Sequence, residues 1–190
     1  SPQNSSSMDY HSLRYIGYSQ YINGAHLKYK RVLHSDSFDV FFQRDPFNDE
    51  IKQDRLYFVM EDIKIGNSTW NTGWLERAYN KSVSESLSNY TVSCSGTIIG
   101  SYEQFKIYLS TMLGHSPFWE NGRHSLDQAY HNYLLHTGKF EENGINIERF
   151  GCNSPILTLH YCSRGKNALR ADVVVGPDQY TVPAIVHQYN

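Results

Sequence analysis

The chain is short of cysteine, of basic runs and of long apolar stretches, and each shortage removes a class of protein. Three cysteines, Cys94, Cys152 and Cys162, are too few for a disulfide scaffold, and their spacing is not that of a zinc site. One disulfide, Cys152–Cys162, is the pairing expected if the protein is secretory. Lys and Arg number 17 against 19 acidic residues, a net charge of −2 with no clustered basic run, so a nucleic-acid partner is not expected. No apolar run approaches the ~18 residues that cross a bilayer, so a membrane anchor is expected only upstream of this chain. There is no G-x-x-x-x-G-K-[ST] loop to cradle phosphates, and no Ser-His-Asp or Cys-His order that suits a nucleophile.

What is present suits a single domain over residues 1–190, with the Ser/Asn-rich residues 1–7 expected to be disordered. The 15 Tyr and 9 Phe are read mainly as core, although aromatic rings also stack on sugars and bases. Sequons N-x-[ST] occur at Asn4, Asn67, Asn80 and Asn89 and hint at a luminal or extracellular setting.

The most informative stretch is residues 31–47, RVLHSDSFDVFFQRDPF. A short apolar run leads into Asp36 and Asp39, a second leads into Asp45-Pro46-Phe47, and the chain turns at the proline. Carboxylates at a strand end suit a hard divalent cation, which takes oxygen ligands and keeps several waters. The plainer reading is that both aspartates only cap a strand end.

Around this stretch, residues 8–22 read as a helix stopped by Asn23-Gly24. Residues 56–61 (LYFVME) read as a strand, with Glu61 at its end facing the same cleft as Asp36. Residues 69–80 read as a short helix with a loop, and residues 83–90 as helix or loop. Residues 91–99 (TVSCSGTII) read as a strand whose internal Gly96 predicts a bulge. Ser101 with Gln104 fits a capping box ahead of a helix over 102–113. The Gly/Pro/His/Trp-rich residues 114–124 suggest a substrate-facing loop, and residues 125–137 a helix with Ser125 as its cap. Residues 144–150, 156–162 and 172–175 read as short strands, and 183–189 as an apolar run ending in His187. The mixture predicts an α/β fold, a mostly parallel central sheet flanked by helices.

Four pieces taken together, LHSDSFDVFFQRDPF, SCSGTIIGS (93–101), DQAYHNYLL (127–135) and VPAIVHQY (182–189), resemble the nucleotide-diphospho-sugar glycosyltransferases of the A-type fold. The resemblance runs from about Arg14 to Tyr189 and rests on the order and spacing of the motifs. It implies a metal-dependent transfer of sugar from a nucleotide-sugar donor to a glycan or protein hydroxyl, with Mn²⁺ or Mg²⁺ as cofactor. With Asp45-Pro46-Phe47 as register mark, Asp39 falls on the second aspartate of that family's D-x-D motif and Ser37 on the first. Asp39 is then the metal ligand, Asp36 a second ligand or a ribose contact, and His187 a third ligand. Asp127 and Gln128 are the implied catalytic pair, although an acid opening a helix is favoured by the macrodipole anyway.

Arg14 is read as a diphosphate contact or an exposed helix Arg. Ser93, Ser95 and Gly96 are placed against the sugar, Asn71 and Trp74 on the acceptor side, and His131 one turn beyond Asp127. Such enzymes open with a β-α-β unit that binds the base. Only one helix and one strand precede Asp36, so that unit lies outside this chain or is absent. The implied location is the secretory pathway, Golgi lumen or membrane, with the cytoplasm as alternative. A non-catalytic carbohydrate-binding relative of the same fold is the other reading.

Overall fold

The computed structural model of the protein describes residues 10–24, 29–115, 126–163 and 168–188. Its elements are α1 (Tyr10–Gly24), β1 (Arg31–Ser35), β2 (Val40–Phe42), β3 (Leu56–Lys64), α2 (Thr69–Ala78), α3 (Lys81–Leu87), β4 (Thr91–Ser101), α4 (Tyr102–Gly114), α5 (Asp127–His136), α6 (Lys139–Glu142), β5 (Ile147–Phe150), β6 (Ile156–Thr158), α7 (Leu159–Cys162), β7 (Leu169–Arg170), β8 (Val173–Val174) and β9 (Ile185–His187).

Two sheets carry the fold, in the orders β1-β4-β3-β5 and β2-β9-β6, with β7-β8 as a separate ribbon. Strand β3 shows why they stack. Leu56, Phe58 and Met60 point into a core shared with residues of α1, α4 and α5 such as Tyr15, Phe105 and Tyr130. Tyr57 and Val59, on the other pleat face, join Ile156, Ala184 and Ile185 in a second core against the smaller sheet. Burial on both faces explains why β3 is apolar without alternation. The layers are therefore helices, main sheet and small sheet.

The expected mostly parallel sheet is corrected: both sheets are mixed. β4 is antiparallel to β1 and to β3, β5 is parallel to β3, and in the small sheet β9 is antiparallel to β2 and parallel to β6. The stretch 31–47 supplies one strand to each sheet, so its aspartates sit in the crossing loop between sheets.

Local signals held in part. Ser68 and Asn80 cap α2 and α3 through the backbone N–H of Asn71 and Val83, which settles residues 83–90 as mostly helix. Ser101 caps α4 by accepting from Gln104 N. The box is not reciprocal, because Gln104 Oε1 accepts from Asn146 N at 2.6 Å instead. Residues 156–162 are strand only to Thr158. They then turn into α7, where Cys162 is bonded to Cys152. The expected Ser125 cap, most of the 114–124 loop, residues 1–7 and Tyr189 lie outside the described residues.

Candidate functional site

The site forms where β4 breaks step with β3. Phe58 pairs with Ile98 and Met60 with Ser93, so residues 94–97 of β4 lie opposite Val59 alone. This is the bulge that Gly96 predicts. On its other edge the bulge stays on β1: Ser35 pairs with Thr97, and Asp36 N donates to Gly96 O at 2.8 Å. Asp36 therefore lies directly over Gly96. A Cβ at that position would stand 2.3 Å from Asp36 Oδ2 and 2.9 Å from His187 Cε1, so no side chain fits there.

The small sheet brings the other donors. β2 pairs with β9 in the register Val40 to His187, and Gln188 N donates to Asp39 O at 2.8 Å. His187 thus lands beside the residue that precedes Val40. Its Nε2 lies 3.2 Å from Asp36 Oδ2 and 3.7 Å from Asp39 Oδ1. Behind it, Nδ1 is 3.5 Å from the Cys94 thiol, which orients the ring. One donor atom from each of Asp36, Asp39 and His187 lies within 4.8 Å of the others. These three could hold a divalent cation.

Helix α1 adds a cation of the protein's own. The Arg14 guanidinium donates through Nη1 to Asp36 Oδ1 and through Nη2 to Asp127 Oδ2, the latter at 2.6 Å. Asp127 Oδ2 also accepts from Tyr15 OH at 3.4 Å and Ser95 Oγ at 3.3 Å. Arg14 is not an exposed helix arginine: its side chain is 16% exposed.

Helix α5 is stapled to the bulge by amides. Gln128 Oε1 accepts from Ser95 N at 2.7 Å, and its Nε2 donates to Ser93 O at 2.9 Å. Asn132 Oδ1 accepts from Ser93 N at 2.8 Å, and its Nδ2 donates to Ser93 O at 2.8 Å. Gln128 is therefore a positioning residue, its amide already committed to the β4 backbone.

Electrostatics separate the acids. Burial works to raise the Asp36 pKa, but the hydrogen bond from His187 and the Arg14 charge overcome it and hold the group at about 2. Glu61 has no such help. Burial pushes it up to about 7, opposed only by a hydrogen bond with Cys94. Burial lowers His34 to about 4 and His131 to about 3, so both rings are neutral at pH 7.

A cleft of about 510 Å³ opens over this cluster, within the size range of small-molecule sites. Arg14, Asp36, Asp39, Asn71, Trp74, Ser95, Gly96, Asp127, Gln128 and Glu61 line it. His187 stands behind Asp36, fully buried. Two expected contacts are corrected. Ser93 and His131 are fully buried and do not line the cleft. His131 Nε2 meets Ser93 Oγ at 2.8 Å and its Nδ1 meets Tyr108 OH at 3.0 Å, because the α5 face that carries His131 packs on the sheet.

Sequence reasoning missed Tyr15, Cys94, Trp70, His160, Tyr161 and Gln188. Tyr15, Trp70, Cys94 and Gln188 each adjoin a predicted residue or motif; His160 and Tyr161 carried no such signal. No family model, no curated protein and no solved structure matches this chain.

Proposed function

We propose that this chain is a metal-dependent glycosyltransferase, or the catalytic segment of one, of the A-type fold. It moves a sugar from a nucleotide-diphosphate donor to a glycan or protein hydroxyl. One observation carries the reading: Asp36, Asp39 and His187, far apart in sequence, converge within 4.8 Å, and Asp36 and Asp39 share one cleft with Asp127. The donor set fits a divalent cation, since two carboxylates suit Mg²⁺ and Mn²⁺ and an imidazole favours Mn²⁺ of the two. Two further polar atoms, Arg14 Nε and Gln188 Oε1, are buried without a protein partner among the described residues, as expected beside a polar ligand.

Asp36, Asp39 and His187 would hold the ion, which when bound neutralises the charge that develops on a diphosphate leaving group. Arg14 adds a fixed positive charge to the same region. Asp127 spends Oδ2 on Arg14, Tyr15 and Ser95 and keeps Oδ1 for a sugar hydroxyl. Gln128 fixes the bulge beneath. The secretory setting belongs to the same proposal: a disulfide such as Cys152–Cys162 persists in oxidising compartments.

Titration with a panel of nucleotide sugars, with and without Mn²⁺, tests the reading. Binding should require Mn²⁺ and weaken at least about tenfold in Asp39→Ala, the minimum expected when a metal ligand is lost. Equal binding by wild type and variant would overturn it. One feature favours a non-catalytic sugar-binding relative: Arg14 already bridges Asp36 and Asp127 without an ion. Metal-independent sugar binding without turnover in the longer protein would select that reading.

A further inference from the structure

The same cleft also carries two indoles. Trp70 lies in the first turn of α2 and is 68% exposed. Trp74 follows one turn later on the same face, with the two ring centroids 6.0 Å apart. Both indoles line the cleft. Trp74 packs partly against the core, whereas Trp70 leaves most of its surface to solvent. An indole so exposed gains little from folding. Its place at the rim of a polar cleft gives it a surface to offer a ligand.

The same cleft holds Glu61, 4% exposed and without an ion pair among the described residues. Its described hydrogen-bond partner is the Cys94 thiol. A carboxylate offers about four lone-pair sites, so Glu61 has acceptor capacity left over. A flat apolar surface together with a buried carboxyl that has acceptor capacity to spare matches one chemical shape well. A pyranose ring presents a C–H face on one side and hydroxyl donors around its rim.

We propose that this cleft contains a carbohydrate subsite, taking one pyranose ring against the Trp70–Trp74 surface with a hydroxyl donating to Glu61. Assigning that ring to the acceptor rests on the transferase reading; the subsite itself rests on the two tryptophans and the acid. The acceptor is then a glycan, and a protein hydroxyl without sugar does not fill the site. No bond changes in this binding step.

The test uses the whole chain in EDTA without nucleotide. Methyl glycosides and disaccharides of glucose, galactose, mannose, xylose and N-acetylglucosamine are titrated by saturation-transfer NMR and tryptophan fluorescence. At least one should saturate. Trp70→Ala should weaken it about tenfold, the scale of losing one ring face of buried apolar contact, and Trp70→Phe should restore most of the affinity. Trp70 is exposed, so unchanged melting of Trp70→Ala is expected and is measured alongside. The subsite is overturned if no saccharide saturates or if Trp70→Ala binds as wild type does. Because metal and nucleotide are left out, failure here leaves the Asp39 result standing, and the reverse also holds.

Discussion

Glu61 and Asp36 line one cleft, yet they are different acids. Asp36 has a guanidinium and an imidazole beside it and is held at about 2; Glu61 has neither and is pushed by burial to about 7. Environments that drive two carboxyls apart are a common mark of working sites. The Glu61 shift has a consequence for stability. Its ordinary value is 4.5. Below that pH both folded and unfolded chains hold the proton. As pH rises from 4.5 to 7 the unfolded chain releases it first, so stability falls, and the loss is complete above about 7. A shift of this size corresponds to on the order of 3 kcal/mol. Urea midpoints measured from pH 4.5 to 8 should therefore decline more steeply in wild type than in Glu61→Gln. Parallel curves would mean that Glu61 is not desolvated. Of these residues, Asp36 and Asp39 stood out by their strand-end spacing, and His187 entered only through the resemblance. Trp70 was not legible, because exposure is a property of packing and leaves no local pattern.

At the level of elements, the bulge of β4 depends on α5. Ser93 is fully buried, and Asn132 satisfies both its N–H and its C=O at 2.8 Å. Asn132→Ala takes the side-chain acceptor from the buried Ser93 N–H, while Ser93 O keeps Gln128 Nε2 at 2.9 Å; one buried group left unpaired costs about 1–3 kcal/mol. The variant should lose about that amount in chemical denaturation. It should also lose affinity in the Mn²⁺-dependent titration, since Ser95 and Gly96 follow directly on the strand. A loss below 0.5 kcal/mol, about the scatter expected at surface positions, would show that the bulge holds itself. The sequence announced this element through Gly96 and the polar Ser93-Cys94-Ser95. It did not announce the partner, because hydrogen bonds across 39 residues are invisible to any local window. The same limit explains Ser93 and His131: the 3.6-residue period puts His131 near the face of Asp127, but the angle at which α5 meets the sheet decides which of the two faces the cleft.

Across the whole molecule, two packed sheets meet at the loop that carries Asp36 and Asp39, and a disulfide pins the far wall. Cys152 and Cys162 are 10 residues apart, and closing a loop of that length is worth roughly 2–3 kcal/mol. The bond also ends α7, whose His160 and Tyr161 line the cleft. Reduction, or Cys152→Ser with Cys162→Ser, should lower the melting temperature by several degrees, about what 2–3 kcal/mol produces in a domain of this size. No change on reduction would show that the wall is held by packing alone. The α/β class and the longer helices α1, α2, α4 and α5 were legible, whereas α6 was not anticipated and α7 falls in a stretch read as strand. Strand direction was not, because it is set by which distant strands pair: β3 takes β4 antiparallel and β5 parallel on opposite edges.

The Arg14 bridge has a consequence for charge. Asp36, Asp39 and Asp127 bring three formal negative charges to one region of the cleft, and Arg14 returns one positive charge. The remainder is two negative charges, the amount that a single divalent cation carries. Arg14 therefore leaves the cluster short of neutrality by one such ion. A monovalent ion would leave these groups negative and a trivalent one would overshoot, so on the proposed metal reading the Arg14 charge favours a divalent ion.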